Sequence, residues 1–260
     1  MISSLEILNY RNLVNVNIEN IARVNLVIGK NNTGKTNLLE SVYYYAALNE
    51  AGDTDKLVID DLAFELLTDD LEIPSNIKFI KSGSAIQGFL NENSFDCFSP
   101  EIQEMAVDCL KVVDDRILEI DFLADNLKNP LATLKNGKNV SLLRMGNGVH
   151  RVLTILLAMS TSEGGIVLID ELERGLHYAV HEKLSNLIFE MASRQNIQIF
   201  ASTQSTDVIN AFGKIVNKDE NKPLSGLLVK LERIDGVIEP LTFDPEELKV
   251  IVENNVEVRR

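Results

Sequence analysis

The sequence predicts an α/β fold, a mixed sheet flanked by helices and finished by a C-terminal hairpin and helix. Three observations lead there. Short apolar runs that read as buried strands alternate with apolar residues at three-to-four spacing that read as helices, the mark of parallel pairing. A glycine-rich turn, GKNNTGK, joins one such strand to a helix at residues 29 to 35. A second buried-type run, Ile166 to Ile169, ends in two adjacent acids, Asp170 and Glu171.

In chain order, residues 2 to 19 carry two apolar stretches around NYRN and predict a strand pair, and residues 24 to 28 form the apolar run before the glycines. The helix from Lys35 to about Leu48 has Thr36 near its start and Leu38, Leu39, Val42 and Tyr45 at helical spacing. Tyr43 to Tyr45 are three neighbours on that helix; they point in different directions, which favours packing over base stacking. Residues 50 to 100 show little periodicity and are expected to form an insert in a single domain whose core is 1–49 and 101–260. A short helix is expected near Leu57 to Leu67 and a strand near Ile77 to Ile80. Glu101 to Arg116 places Ile102, Met105, Cys109, Leu110 and Val113 on one helical face. A further helix follows Gly148 with Val152, Leu153, Ile155, Leu156 and Met159. The strand at Ile166 to Ile169 comes next, then a helix over Ala179 to Ser193 and a strand over Ile197 to Ala201. Leu227 to Arg233 and Val237 to Phe243 flank IDGV, where Asp235 and Gly236 suit the positive φ of a hairpin turn. Asp244 is a candidate N-cap, with Pro245 at the first position of the last helix.

At 260 residues the chain can bury a substantial core. Its apolar runs fall far short of the roughly 20 residues needed to span a bilayer. MISSLEILNYRNL lacks the basic segment and apolar stretch of a secretion signal, so the cytoplasm is the expected location. Cys97 and Cys109 are too few and too badly spaced for a zinc cluster or disulfide framework, and read as buried free thiols. The net charge of -14 disfavours a broad basic face for nucleic acid, though a local basic patch stays open. Nine acids between Glu50 and Glu72 face a single lysine, Lys56. A solvated surface is the plainer reading of that segment, and a docking surface for a basic partner the functional one.

Gly29, Gly34, Lys35 and Thr36 satisfy G-x-x-x-x-G-K-[ST], the phosphate loop. The glycines let the backbone of Asn31, Asn32, Thr33 and Asn37 wrap an anion with its N–H groups inward, Lys35 reaches the β and γ phosphates, and the Thr36 hydroxyl ligates Mg2+. A chance match in a chain this long is on the order of one in a hundred. Such a loop needs a second, carboxylate-bearing strand on the far side of the metal. GGIVLIDELERGLH supplies it: Asp170 is the candidate metal ligand, and Glu171 the group that polarises the attacking water. His177 and His181, four apart on the expected helix, have zinc-compatible spacing but no evident third ligand.

With these motifs in hand, the chain resembles the ABC-type ATPases of the group that includes SMC, RecF-like and OLD-like proteins. LEILNYRNLVN is similar to that group's opening strand with its aromatic–Arg pair, here Tyr10 and Arg11. LLRMGNGVHRVL occupies the place of the signature motif, IDELERGLHYAV that of the Walker B and D-loop segments, and IQIFASTQSTDVINAF that of the last strand and switch. The resemblance covers about two-thirds of the residues and leaves 50 to 100 unmatched. It implies a P-loop NTPase head of the ABC type, with ATP and Mg2+ as cofactors and two head-to-tail copies enclosing the nucleotide. Gly146, Asn147 and Gly148 of one copy would then face the γ-phosphate held by the other, with Ser141 as a further donor, Arg11 would touch nucleotide, and His177 would serve the dimer interface. Where the group usually carries a switch histidine this chain has Gln204, which donates a hydrogen bond but cannot become cationic, so slow hydrolysis is expected.

The expected function is an ATP-dependent, dimerising switch or sensor acting on a separate protein effector, with prokaryotic defence as one setting. Thr36 and Asp170 lie 134 positions apart, too close for long coiled-coil arms between them. Only 56 residues follow Gln204, so any nuclease is expected on another chain. Two alternatives stay open: a RecF-like DNA repair or recombination ATPase, and a scaffold that binds ATP without turnover.

Overall fold

A computed structural model of the chain describes residues 1–48, 56–60, 73–89, 99–122, 130–218, 225–254 and 256–258. The central sheet has six strands: β3 (Val24–Gly29), β5 (Ile77–Ile80), β9 (Ile166–Ile169), β10 (Gln198–Ser202), β11 (Gly226–Ile234) and β12 (Val237–Phe243). Their order is β12-β11-β3-β10-β9-β5, all parallel except β12, which returns antiparallel to β11. A smaller sheet, β2-β1-β4, joins β1 (Ser4–Tyr10), β2 (Leu13–Ile18) and β4 (Lys56–Asp60). A third, antiparallel sheet holds β6 (Ile117–Asp121), β7 (Leu131–Leu134) and β8 (Asn139–Ser141).

The apolar runs are continuous because both faces of the central sheet are covered. Leu26, Ile28, Val167, Ile169, Ile199 and Ala201 pack into one core beneath a helical layer. That layer is formed by α2 (Pro100–Val113), α3 (Asn147–Ser160), α4 (His181–Arg194), α5 (Thr206–Val216) and α6 (Pro245–Glu253). Val27, Ile166, Leu168 and Phe200, one residue out of step, face α1 (Lys35–Leu48) and the inner side of the small sheet. The two-residue period of the strands therefore separates two cores. Helix α3 is buried on nearly every side, from Val149 through Ser160 with only His150 partly exposed, as befits a helix in the middle of a layer. At the joint between the sheets, Gln198 Oε1 accepts from Ile2 N at 2.9 Å and its Nε2 donates to Ile2 O at 2.7 Å.

The local signals hold. Asp235 (φ 50°) and Gly236 (φ 91°) form the hairpin turn, and Asp244 caps α6 in a reciprocal box with Glu247, with Pro245 in the first turn. Tyr43 packs against Tyr44 and Phe79, with centroids 5.2 and 5.5 Å apart, and Tyr45 is buried. Cys109 is a buried free thiol; Cys97 lies outside the described residues. Two expectations need correction. Lys56–Asp60 is a strand, not the start of a helix: Leu57, Val58 and Ile59 pair in parallel with Leu5, Glu6 and Ile7, a partnership about fifty residues away that overrides local preference. The remainder of the expected helix lies outside the described residues. His177 precedes a short 3-10 turn, Tyr178–Val180, so it does not share a helix with His181. Its Nδ1 accepts from Ala179 N, while His181 is buried in the first turn of α4. No helix among the described residues is long and apolar enough to cross a membrane.

Candidate functional site

The C-terminal ends of β3, β9 and β10 open onto one cleft of about 640 Å3, where open parallel sheets bind ligands. The turn after β3 forms one wall. Gly34 takes φ +90°, and a Cβ there would lie 2.7 Å from Leu13 Cδ2 and 2.8 Å from Asn12 Oδ1, so only glycine fits. Thr33 is buried and donates its hydroxyl to Lys30 O at 2.9 Å, stiffening the turn from inside. The Lys35 ammonium is curled into the loop, donating to Gly29 O at 2.9 Å and Lys30 O at 2.8 Å. Burial lowers its pKa, opposed by the carboxylates of Asp170, Glu173 and Glu171.

Across the cleft, Thr36 Oγ1 lies 3.1 Å from Asp170 Oδ2 and 3.3 Å from Oδ1. Ser202 donates to Asp170 Oδ1 at 2.6 Å and accepts from Glu171 N at 2.9 Å, so the end of β10 orients both acids. Glu171 sits in a left-handed turn (φ 51°), and its Oε2 accepts from Arg174 Nη1 at 3.1 Å; the same arginine also donates to Ser82. Beneath them Arg151 of α3, only 7% exposed, donates through Nη2 to the carbonyls of Asp170 (2.7 Å) and Glu171 (2.9 Å). Burial pushes its pKa down to about 10. Glu173 accepts from Thr203 Oγ1 at 2.7 Å and from Gln204 N at 2.9 Å, fastening the segment after β10 to the acidic turn.

At the mouth, Arg11 (φ 54°) contacts Asn37 and Glu40 and lies over the Tyr10 ring. Asn37 in turn donates to Asn12 at 2.7 Å. Arg233, near the end of β11, donates to Asn32 O at 3.1 Å. Of the residues expected from sequence, Arg11, Asn31, Asn32, Gly34, Lys35, Thr36, Asn37, Asp170, Glu171 and Gln204 line this cleft. Gly29 lies at its base within β3, and the Thr33 side chain points into the turn. Gly146, Asn147 and Gly148 stand apart from it at the start of α3. Space around Gly146 is open, whereas a Cβ on Gly148 would come within 2.8 Å of Val113 and 3.1 Å of Gly175 O, so Gly148 lets α3 approach its neighbours. Ser141 caps the short turn 142–144, accepting from Leu143 N.

Sequence reasoning missed Asn12, Arg151, Glu173, Ser202, Thr203 and Arg233. Arg151 did leave a signal, a lone cation inside the apolar stretch VHRVLTILLAM, which must be paired if buried. The cleft sets the buried Lys35 ammonium beside the hard oxygen donors of Thr36, Asp170 and Glu171. Thr36 and Asp170 together offer the oxygens a Mg2+ ion takes when phosphate and water complete its shell. Among the described residues no group of three or more His, Cys, Asp or Glu could hold a metal unaided.

Known proteins resemble the chain in sequence and in fold. Residues 1–112 match the "AAA ATPase domain" family and residues 100–210 the family described as "AAA domain, putative AbiEii toxin, Type IV TA system". The chain is 22% identical over 367 aligned positions to a Helicobacter pylori protein described as an ATP/GTP phosphatase, covering 98% of each. It is 36% identical over 89 residues to the DNA replication and repair protein RecF of Clostridium perfringens, a match that spans 32% of this chain and 25% of that one. Among solved structures, the SMC head bound to the C-terminal winged-helix domain of ScpA superposes with TM-score 0.57 at 11% identity, covering 93% of this chain and 97% of that one. The ABC transporter component cbiO1 of Clostridium perfringens follows at TM-score 0.51 and 16% identity, covering 96% and 92%. Two overlapping stretches of the chain are thus similar to AAA ATPase-type domains, and the fold is the ABC-type head fold also seen in the SMC head.

Proposed function

We propose that this ATPase works as a nucleotide-dependent switch: two copies close over ATP, hydrolysis opens them, and a separate protein effector reads the difference. One observation carries the reading. Residues 134 positions apart in sequence, Thr36 and Asp170, meet at 3.1 Å in a cleft that also holds Lys35 and Glu171. Lys35 would exchange its two loop carbonyls for β and γ phosphate oxygens, so hydrogen bonds to neutral acceptors are replaced by ones to charged acceptors. Thr36 and Asp170 would hold Mg2+, which supplies neutralisation of phosphate charge when bound. Glu171 would turn from Arg174 to the attacking water, and Gln204 would donate to the γ-phosphate. Gly146 and the first N–H groups of α3, exposed and away from the chain's own cleft, suit a second copy's phosphate. The family match named for a type IV toxin–antitoxin system supports a place in prokaryotic defence.

Light scattering on the Glu171→Gln variant tests the switch. The expected result is a doubling of mass on adding ATP and Mg2+, absent with Lys35→Ala. ATP binding without any change of mass would overturn it. The local RecF similarity favours one other reading, a DNA-stimulated ATPase. That reading requires hydrolysis to rise with duplex DNA at low salt and to lose the stimulation steeply as salt increases.

A further inference from the structure

We infer that Glu173 is the positioning residue that presents Gln204 to the nucleotide, a role the acid motif at 170–171 does not itself fill. The inference rests on the ATPase reading of the cleft. Glu173 follows the two acids by a half-turn and spends both carboxylate oxygens on the opposite strand end: Oε2 accepts from Thr203 Oγ1 at 2.7 Å and Oε1 accepts from Gln204 N at 2.9 Å. Thr203 passes the constraint on, its Oγ1 accepting from Ser205 N at 3.0 Å, and Ser205 caps α5 by accepting from Val208 N. The carboxylate therefore holds the Gln204 backbone directly and the Ser205 backbone through Thr203, just before a helix start, while Thr203 N donates to Val27 O at 3.0 Å. Thr203 is fully buried and Glu173 half-buried, whereas Gln204 is exposed on the cleft wall.

Ser202 completes the arrangement from the other side. It ties Asp170 and the Glu171 backbone to β10 just as Glu173 ties the 203–205 segment to the acidic turn. The two strand ends are laced reciprocally, and displacement of one must displace the other. A group that stabilises charge developing on a phosphate works only when held within about half an ångström of its place. Glutamine, having no net charge to act at longer range, depends on that placement more than a histidinium would.

Single-turnover phosphate release and ATP binding, measured on four chains, test this. Glu173→Ala is expected to slow the chemical step about tenfold while ATP affinity stays within about twofold. Glu173→Gln should recover most of the rate, because its amide oxygen still accepts from Gln204 N and its amide nitrogen can donate to Thr203 Oγ1. Thr203→Val, which removes one of the two Glu173 bonds together with the acceptor of Ser205 N, should fall between. If Glu173→Gln is as slow as Glu173→Ala, the charge and not the placement matters, and the inference is overturned. It is equally overturned if Glu173→Ala turns over at the wild-type rate. Should Glu173→Ala fail to fold, Thr203→Val decides alone, a wild-type rate sinking the inference. A wild-type chain that binds no ATP or releases no phosphate instead defeats the ATPase reading, a separate outcome.

Discussion

Arg151 donates to the carbonyl oxygen of Asp170 at 2.7 Å from the second turn of helix α3, joining the helix capped by Gly146 to the turn that carries the candidate metal ligand Asp170 and the candidate catalytic acid Glu171. A neutral carbonyl is an unusual principal partner for a buried guanidinium, and the nearby Asp170, Glu173 and Glu171 charges offset the burial that lowers its pKa to about 10. Two hydrogen bonds thus tie the helix to the acidic turn.

Arg151→Met replaces the side chain with an apolar one and takes the guanidinium away from two carbonyls, of which Glu171 O still accepts from Arg174 N at 3.0 Å. Hydrogen bonds from a charged group contribute about 1.5–3 kcal/mol each, partly offset because the desolvation cost of the cation also disappears. A net loss of about 2 kcal/mol is expected in urea unfolding. A variant as stable as wild type would show that the guanidinium is structurally idle.

Gly34→Ala tests the turn. The φ of +90° and the contacts at 2.7 and 2.8 Å leave no place for a methyl group. The loop must shift, and ATP affinity should fall at least about tenfold, with a lower unfolding midpoint as well because Leu13 is a fully buried core residue. Titration with a fluorescent ATP analogue reads the first effect and thermal unfolding the second.

Cys109 is fully buried in α2, and burial pushes its thiol up to about 12. Because the folded pKa lies above the unfolded one, the stability tied to the neutral thiol is complete below about pH 9 and is lost as pH rises toward 12. In a Cys97→Ser background, Cys109 should resist a thiol reagent at pH 8 and react fully in urea. Rapid labelling of the native chain would contradict its burial.

The elements legible in the sequence are those whose causes are local. Ile166 to Ile169 reads as a buried strand from its own four residues, and Asp244–Pro245 announces a helix because cap and first turn are contiguous. Lys56–Asp60 does not, since its strand character comes from pairing with β1. The candidate site divides the same way. Lys35, Thr36, Asp170 and Glu171 stand in motifs that state their chemistry, whereas Glu173, Ser202 and Arg233 gain theirs from neighbours 30, 32 and 201 positions away. Ordinary polar residue types carry no mark of such partners until the sheet brings them together.

Gln204→His bears on the rate itself. The 204 backbone is held by Glu173, so a histidine placed there starts from the same position on the cleft wall. An imidazole can donate as glutamine does and, when protonated, adds a full positive charge opposite the charge that develops on the γ-phosphate. That charge exists only below the imidazole pKa. The variant should therefore exceed wild type in single-turnover rate by about tenfold near pH 6 and by less near pH 8, with ATP affinity nearly constant. A uniform gain across that range would point to shape rather than charge. No gain at any pH would show that the missing charge at position 204 does not limit turnover, and Arg174→Ala, which releases Glu171 from its ion pair, would be the next variant to measure.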